Sequence, residues 1–343
     1  MNKIKDGIGL TFDDVLIEPK ISEIESRRKP DVSSRLGEHI WLQTPVIASC
    51  MDTVSEVDMA VAMARAGGLA ILHRFVEPHI QAKWFGQLEH YAAGAAVGVS
   101  DDDKERVDVL YNAGCRLICV DVANGQSIYA ARFIYWLRGI YPDVTIMAGN
   151  VATSEGVKYL EGAGADILRV GIGGGSFCTT RTTTGIGVPQ LTSLLECAEV
   201  ASVPLVADGG IRRPSDVAKA LGAGAKAVML GGLLVGTAES PGAIYLDEER
   251  PYKMGRGMAS LSAQVERPGN EGKDLSKIVP EGISAKVPYI GGVKQVIDNL
   301  MGGLRSAMSY TNSLNLNEFR DNVEFIRISN ASLVESHPHI LDY

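Results

Sequence analysis

Short runs of aliphatic and β-branched residues recur along this chain, each closed by Gly, Asp, Ser or a similar punctuating residue. They fall at Pro45–Ser49, Gly68–His73, Ala95–Val99, Leu117–Asp121, Val144–Gly149, Asp166–Gly171, Pro204–Asp208 and Ala227–Gly231. Successive starts are 23, 27, 22, 27, 22, 38 and 23 residues apart. The runs are apolar throughout rather than alternating, the pattern of strands covered on both faces. Between them lie helix-like stretches, among them Glu56–Ala66, Asp103–Ala113, Ser154–Ala163 and Pro214–Ala223. Several end in Ala-Gly or Gly-Ala-Gly, the glycine stop that closes a helix before the next strand. A strand–helix unit repeated eight times predicts an α/β fold, a (β/α)8 TIM barrel. An open doubly wound sheet would show fewer strands and a dinucleotide fingerprint after the first, and none follows it here.

The rhythm breaks twice. Gly171–Gln190 is inserted after the sixth strand. A polar stretch containing Gly and Pro, about Thr237–Pro288, delays the final helix near Val293–Tyr310. Long loops in compact domains are usually functional, and both leave the strand ends where barrel active sites lie. Residues 311–343 add an amphipathic turn and the strand-like Glu324–Ile328, expected to cap the barrel or meet another subunit. With no linker-like shift in composition, residues 1–343 are expected to form one domain with a flap at about 237–288.

Composition narrows the chemistry. A net charge of −8 with a pI near 5.4 argues against binding nucleic-acid polymers or anionic membranes. No apolar run reaches the length that crosses a bilayer, and Met1–Asp6 lacks the hydrophobic core of a secretory signal. Five cysteines without framework spacing predict reduced thiols in a cytoplasmic protein. Cys115 and Cys119 share a C-x3-C spacing, but their segment reads as a turn entering a buried strand.

The seventh strand runs into Asp208-Gly209-Gly210 and the eighth into Gly231-Gly232. Glycine pairs at these two ends let backbone N–H groups close on a phosphate, helped by a helix N-terminus. Asp208, beside such a phosphate, suits sugar hydroxyls. The loop Gly171–Arg181 carries Cys178, where glycine-rich backbone and Arg181 would favour a nucleophilic thiolate. His73 fits a hydrogen-bonded structural role, and His337 and His339 a solvated tail.

Six segments together resemble the IMP dehydrogenase/GMP reductase family. They are Leu10–Leu16, Met51–Val54, Ala148–Val151, the Cys178 loop, Ala207–Gly210 and Arg256–Met258, within a likeness running from Gly9 to His339. The resemblance implies a barrel enzyme, a homotetramer, acting at C2 of a purine nucleoside 5′-monophosphate through a covalent cysteine adduct. It implies hydride exchange with NADPH in a reductase or NAD in a dehydrogenase. By matched position Cys178 is similar to the nucleophile, and Ser176, Gly210, Gly231 and Gly232 to the phosphate cradle. Asp208 matches the ribose ligand; Met258, Ala259 and Met51 lie along the base; Asp121, Ala123, Asn124 and Gly125 match the nicotinamide side. Carbonyls of Gly173, Gly175 and Cys178 resemble a potassium (K+) site completed by a neighbouring subunit.

The same resemblance divides two reactions. Arg267 matches the arginine of a water-activating Arg-Tyr pair, but Pro268 stands in the tyrosine position. Thr180 and Glu281 match the pair that helps ammonia leave in reductases. Asp121–Gly125 and the lack of an inserted tandem CBS regulatory domain are similar to reductases, whereas Val279–Gly282 and the tail Glu335–His339 are similar to dehydrogenases. Gly174 replaces the family's usual proline and Gly255 an expected tyrosine near the phosphate. The expectation is a GMP reductase, with IMP dehydrogenase as the alternative. A flavin-dependent barrel oxidoreductase and a catalytically degenerate nucleotide-binding protein are the remaining readings.

Overall fold

Each of the eight apolar runs becomes a parallel strand in the computed structural model, which describes residues 3–88, 90–247, 250–270, 274 and 279–338. The strands are β1 (Val46–Ala48), β2 (Leu69–Leu72), β3 (Ala93–Val97) and β4 (Leu117–Asp121). They continue with β5 (Thr145–Val151), β6 (Ile167–Val170), β7 (Leu205–Asp208) and β8 (Ala227–Leu230). Parallel pairing runs in order from β1 to β8 and closes between β8 and β1, confirming the (β/α)8 barrel. The helices packed around it are α1 (Val57–Arg65), α2 (Pro78–Gly86), α3 (Asp101–Asn112) and α4 (Ile128–Ile140). After them come α5 (Ser154–Ala163), α6 (Gln190–Ala198), α7 (Pro214–Gly222) and α8 (Val293–Tyr310). Only α2 and short loops join β2 to β3, so no regulatory domain is inserted there.

Local chemistry starts and stops these helices. Ser100 caps α3, exchanging hydrogen bonds with Asp103: its Oγ accepts from Asp103 N and Asp103 Oδ2 accepts from Ser100 N. Gly164 ends α5 at φ +105°, a conformation that favours glycine. Two apolar layers result. Inward-facing residues from all eight strands, such as Ile47, Ile71, Ala96, Met147, Ile167 and Met229, fill the barrel interior. Leu36 and Leu42, beside the hairpin Ser34–Arg35/Trp41–Leu42, pack against that interior cluster. The second layer lies between strands and helices.

The chain before β1 crosses to the end of the barrel at which β7 finishes. Phe12 is buried, Lys219 Nζ on α7 donates to its carbonyl at 2.9 Å, and Asp13 pairs with Arg212 and Arg213 just after β7. Strand Val15–Ile17 pairs antiparallel with Phe325–Arg327, fastening the last part of the chain to the first. The long stretch after β8 is more regular than its polar sequence implies. Strands β9 (Tyr245–Asp247), β10 (Arg250–Arg256) and β11 (Ser284–Pro288) form a three-stranded antiparallel sheet, with the short helix Leu261–Glu266 between β10 and β11. Such a sheet is two-sided and partly solvated, so it lacks the continuous apolar runs that reveal the barrel strands. Flap positions 271–273 and 275–278, with His339 in the tail, lie outside the described residues. Among the described residues no helix is long and apolar enough to cross a membrane.

Candidate active site

The strand ends and both insertions open onto one cleft of 440 Å3. Cys178, Thr180, Glu281 and Arg267 line it, with Ser176, Asp208, Gly210, Gly231, Gly232, Met258, Ala259 and Met51. Asp121, Ala123, Gly173 and Gly175 also line it. Asn124 and Gly125 do not: Asn124 Oδ1 accepts from Gln126 N, and Gly125 N donates to Asn150 O at 2.7 Å. Their contribution is to the loop behind the cleft wall.

Cys178 is the one cysteine of the five that is not buried. Its Sγ lies 3.1 Å from Thr180 Oγ1, a hydroxyl able to donate to a thiolate. The loop is stitched to the flap by main-chain bonds. Cys178 N donates to Gly175 O at 3.0 Å, Thr179 N to Glu281 O at 3.0 Å, and Ile283 N to Phe177 O at 3.0 Å. Glu281 N in turn donates to Ala259 O at 3.1 Å, so the thiol, Glu281 and the Met258-Ala259 wall form one framework. Arg181 departs from the sequence expectation. Its guanidinium donates to the carbonyls of Ile172 and Val188, bracing the loop base, and the thiol's polar neighbour is Thr180 instead.

On the glycine side, Gly209 and Gly210 have φ of +99° and +81°, which allows the chain to double back after β7. Gly210 N donates to Gly174 O at 2.9 Å, so this amide joins the two loops rather than facing the cleft as a phosphate donor. The helical turn Gly232–Val235 begins at the second glycine pair, and its first N–H groups have no intrahelical acceptor. Ser176 Oγ sits 2.9 Å from where a Cβ on Gly232 would stand, and Met51 Sδ 2.7 Å from one on Gly231. A side chain at either position would have to displace Ser176 or Met51.

The opposite side is built from charges that the sequence pattern hides. Arg169, in the middle of β6 and 5% exposed, donates to Asp208 Oδ2 at 2.7 and 3.1 Å and to Asp121 Oδ1 at 2.6 Å. Asn150 Nδ2 donates to the same Asp208 oxygen at 2.8 Å and to Gly171 O at 2.7 Å. Among the described residues none donates to Asp208 Oδ1. Burial works against the Asp121 carboxylate, but the Arg169 and Arg74 guanidiniums outweigh it and hold its pKa below the ordinary range. Gly149 on β5 lets Arg169 approach: a Cβ there would lie 2.6 Å from that of Arg169.

Above this network, Arg74 and Arg267 hold their guanidiniums 5.5 and 5.3 Å from the centre of the Phe75 ring. Burial and the Arg74 charge push the pKa of Arg267 down. His73, 2% exposed, accepts from Phe75 N at Nδ1 and lies 3.3 Å from Glu56 Oε1 at Nε2, as a structural histidine does. Sequence reasoning missed Arg169, Asn150 and Arg74. The available signal was a charged residue inside a doubly covered strand, which must find a buried partner.

The family model for the IMP dehydrogenase / GMP reductase domain matches residues 9–339. The inosine-5′-monophosphate dehydrogenase of Cryptosporidium parvum is 36% identical, covering 97% of this chain and 95% of its own. That of Nitrosopumilus maritimus is 32% identical, over 96% of this chain and 98% of its own. A structure of GMP reductase from Trypanosoma brucei in complex with guanosine 5′-monophosphate superposes with a TM-score of 0.93 at 29% identity, covering 98% of each chain. With a family model and relatives above 30% identity matched over nearly its whole length, this chain belongs to the IMP dehydrogenase/GMP reductase family of purine-nucleotide oxidoreductases.

Proposed function

We propose that this protein is a GMP reductase, converting GMP and NADPH to IMP, ammonia and NADP through a covalent bond to Cys178. The observation that carries this reading is the 3.1 Å contact between Cys178 Sγ and Thr180 Oγ1 on a loop bonded to Glu281, in a flap where Pro268 offers no hydroxyl to activate water. Cys178 sulfur bonds to C2 of the purine. The C2–N bond to the exocyclic amine then breaks, and a proton passed through Thr180 and Glu281 leaves with ammonia. A reduced nicotinamide held beside Asp121 and Arg74 would supply the hydride to C2, after which Cys178 leaves as the thiolate and IMP is released. General acid–base assistance of this kind contributes about 10²–10⁴-fold.

Ser176 and the Gly231-Gly232 turn would hold the phosphate, Asp208 the ribose, and Met258, Ala259 and Met51 the base. Arg74 Nε is buried beside Asp121 without a hydrogen-bond acceptor among the described residues, a site that suits a polar group of the nicotinamide cofactor. Carbonyl oxygens of Gly173, Gly175 and Cys178 suit potassium, with a neighbouring subunit of a tetramer completing the shell. Five free cysteines fit a reducing cytoplasm.

The similarity to inosine-5′-monophosphate dehydrogenases favours a second reading, oxidation of IMP by NAD and water. Incubation with GMP and NADPH, then separately with IMP and NAD, separates the two. Ammonia release in the first alone is expected; NADH formation in the second alone overturns the reductase. Cys178→Ala should abolish turnover in either direction, and retained turnover would refute covalent catalysis.

A further inference from the structure

We propose that Phe177 is a positioning residue for Cys178. Its ring fills a glycine-walled slot shared by the phosphate turn and the flap, and so fixes where the thiol stands. The inference rests on the reading of Cys178 as nucleophile and adds the device that aims it.

Phe177 is only 7% exposed, although it lines the cleft together with the residues on either side of it. Its surroundings are unlike an ordinary aromatic core site, because much of the wall is backbone. A Cβ on Gly255 of β10 would stand 2.5 Å from the Phe177 Cζ and 2.8 Å from Val235 Cγ1. A Cβ on Gly257 would stand 2.9 Å from the Phe177 carbonyl oxygen, and one on Gly232 3.7 Å from Cε2. The ring therefore takes the room in which a side chain at position 255 would lie. The carbonyl of the same residue accepts from Ile283 N at 3.0 Å. Residue 177 is thus held to the β8 turn and β10 by its ring and to the flap by its backbone. The next residue is the thiol, so any shift of the ring is passed along one peptide to Sγ. A misplacement of about 1 Å at a reacting atom is enough to cost about 10²-fold in rate.

The test uses the full chain with Phe177→Ala, Phe177→Leu, Gly255→Ala and the pair Phe177→Leu/Gly255→Ala. Two readouts are taken. One is the rate at which iodoacetamide alkylates Cys178, which reads the thiol directly because the other four cysteines are buried. The other is kcat and KM for whichever of the two reactions the protein catalyses. Phe177→Ala is expected to lower kcat about 10²-fold, change KM by only a few-fold, and alter the alkylation rate. Phe177→Leu is expected to restore most of both. Gly255→Ala should impair kcat against the native ring and do so less when position 177 is leucine, which lacks the atom at 2.5 Å. Unchanged kcat and alkylation in Phe177→Ala, or additive losses in the pair, would overturn the proposal. If Phe177→Ala does not fold, the Gly255→Ala comparison decides by itself. Retained turnover in Cys178→Ala would sink the covalent reading instead, and the alkylation series would still report whether residue 177 aims the thiol.

Discussion

The two halves of the cleft are made of different material. The half proposed for the phosphate is mostly backbone: two glycine pairs, one serine hydroxyl and a helical turn, held by main-chain bonds between loops. The opposite half is side chain: Arg169, Asp121, Asp208, Asn150, Arg74, Phe75 and Arg267, drawn from β4, β5, β6, β7, the loop after β2 and the flap. A backbone cradle is indifferent to side-chain truncation but intolerant of added atoms. A buried charge network behaves oppositely, since removing one member leaves the others desolvated and unpaired.

The largest effect is therefore expected at Arg169. Arg169→Met leaves Asp208 and Asp121 without their shared guanidinium and should cost about 3–5 kcal/mol of stability, read from urea midpoints. Ser176→Ala, in the other half, should leave the midpoint nearly unchanged and weaken GMP binding about threefold to tenfold, the worth of one ordinary hydrogen bond. If Ser176→Ala were the more destabilising of the two, the contrast between the halves would be lost.

Thr180→Val comes next. It keeps the volume and removes the hydroxyl 3.1 Å from Cys178 Sγ. Turnover should fall about 10²–10⁴-fold with little change in melting temperature. A loss below tenfold would take Thr180 out of the proton path.

The same division explains what the sequence could reveal. The eight strands were legible because burial on both faces imposes unbroken apolar runs, and Val293–Tyr310 was predicted with the observed ends. Glycine pairs at the ends of β7 and β8 stood out because a close backbone approach leaves its mark in residue type, but the sequence did not show that Gly210 N is taken up by Gly174 O. Arg169 was hidden inside the run Ile167–Val170, and its partners lie 39 and 48 positions away on other strands. Nothing in local periodicity specifies such a pairing. The flap sheet was hidden for a related reason: its alternating, half-solvated strands resemble a polar loop. The direction of Arg181 could not be read either, since adjacency in sequence to Cys178 does not decide which carbonyls a long side chain reaches.

Acidification should separate the halves more gently. The folded state lowers the pKa of Asp121, so its carboxylate adds stability that is complete above its unfolded value near 4 and is lost as pH falls through the lower folded value. Melting temperature should drop below about pH 4, and Asp121→Asn should flatten that drop. An equal slope in both proteins would mean that other carboxylates govern the acid limb.

The smallest effect sharpens the rule for the backbone half by finding its exception. Gly174 sits in the cysteine loop between crowded neighbours, yet the nearest atoms to a Cβ there are Gln190 Oε1 at 3.6 Å and Arg181 Nη2 and Gly210 N at 3.7 Å, all ordinary contact distances. Its φ is not in the left-handed region, so alanine needs no strained backbone. Its carbonyl holds Gly210 N, a bond that alanine keeps. Gly174→Ala should therefore change kcat little and leave stability unchanged or raise it by about 0.4–1 kcal/mol, by reducing the freedom of the unfolded chain. The contrast with Gly255→Ala, where the nearest atom is 2.5 Å away, separates glycines that the cleft requires from those it merely contains. Should Gly174→Ala prove as damaging as Gly255→Ala, crowding would not be what sets the glycine requirement, and motion of the loop during turnover would have to replace it.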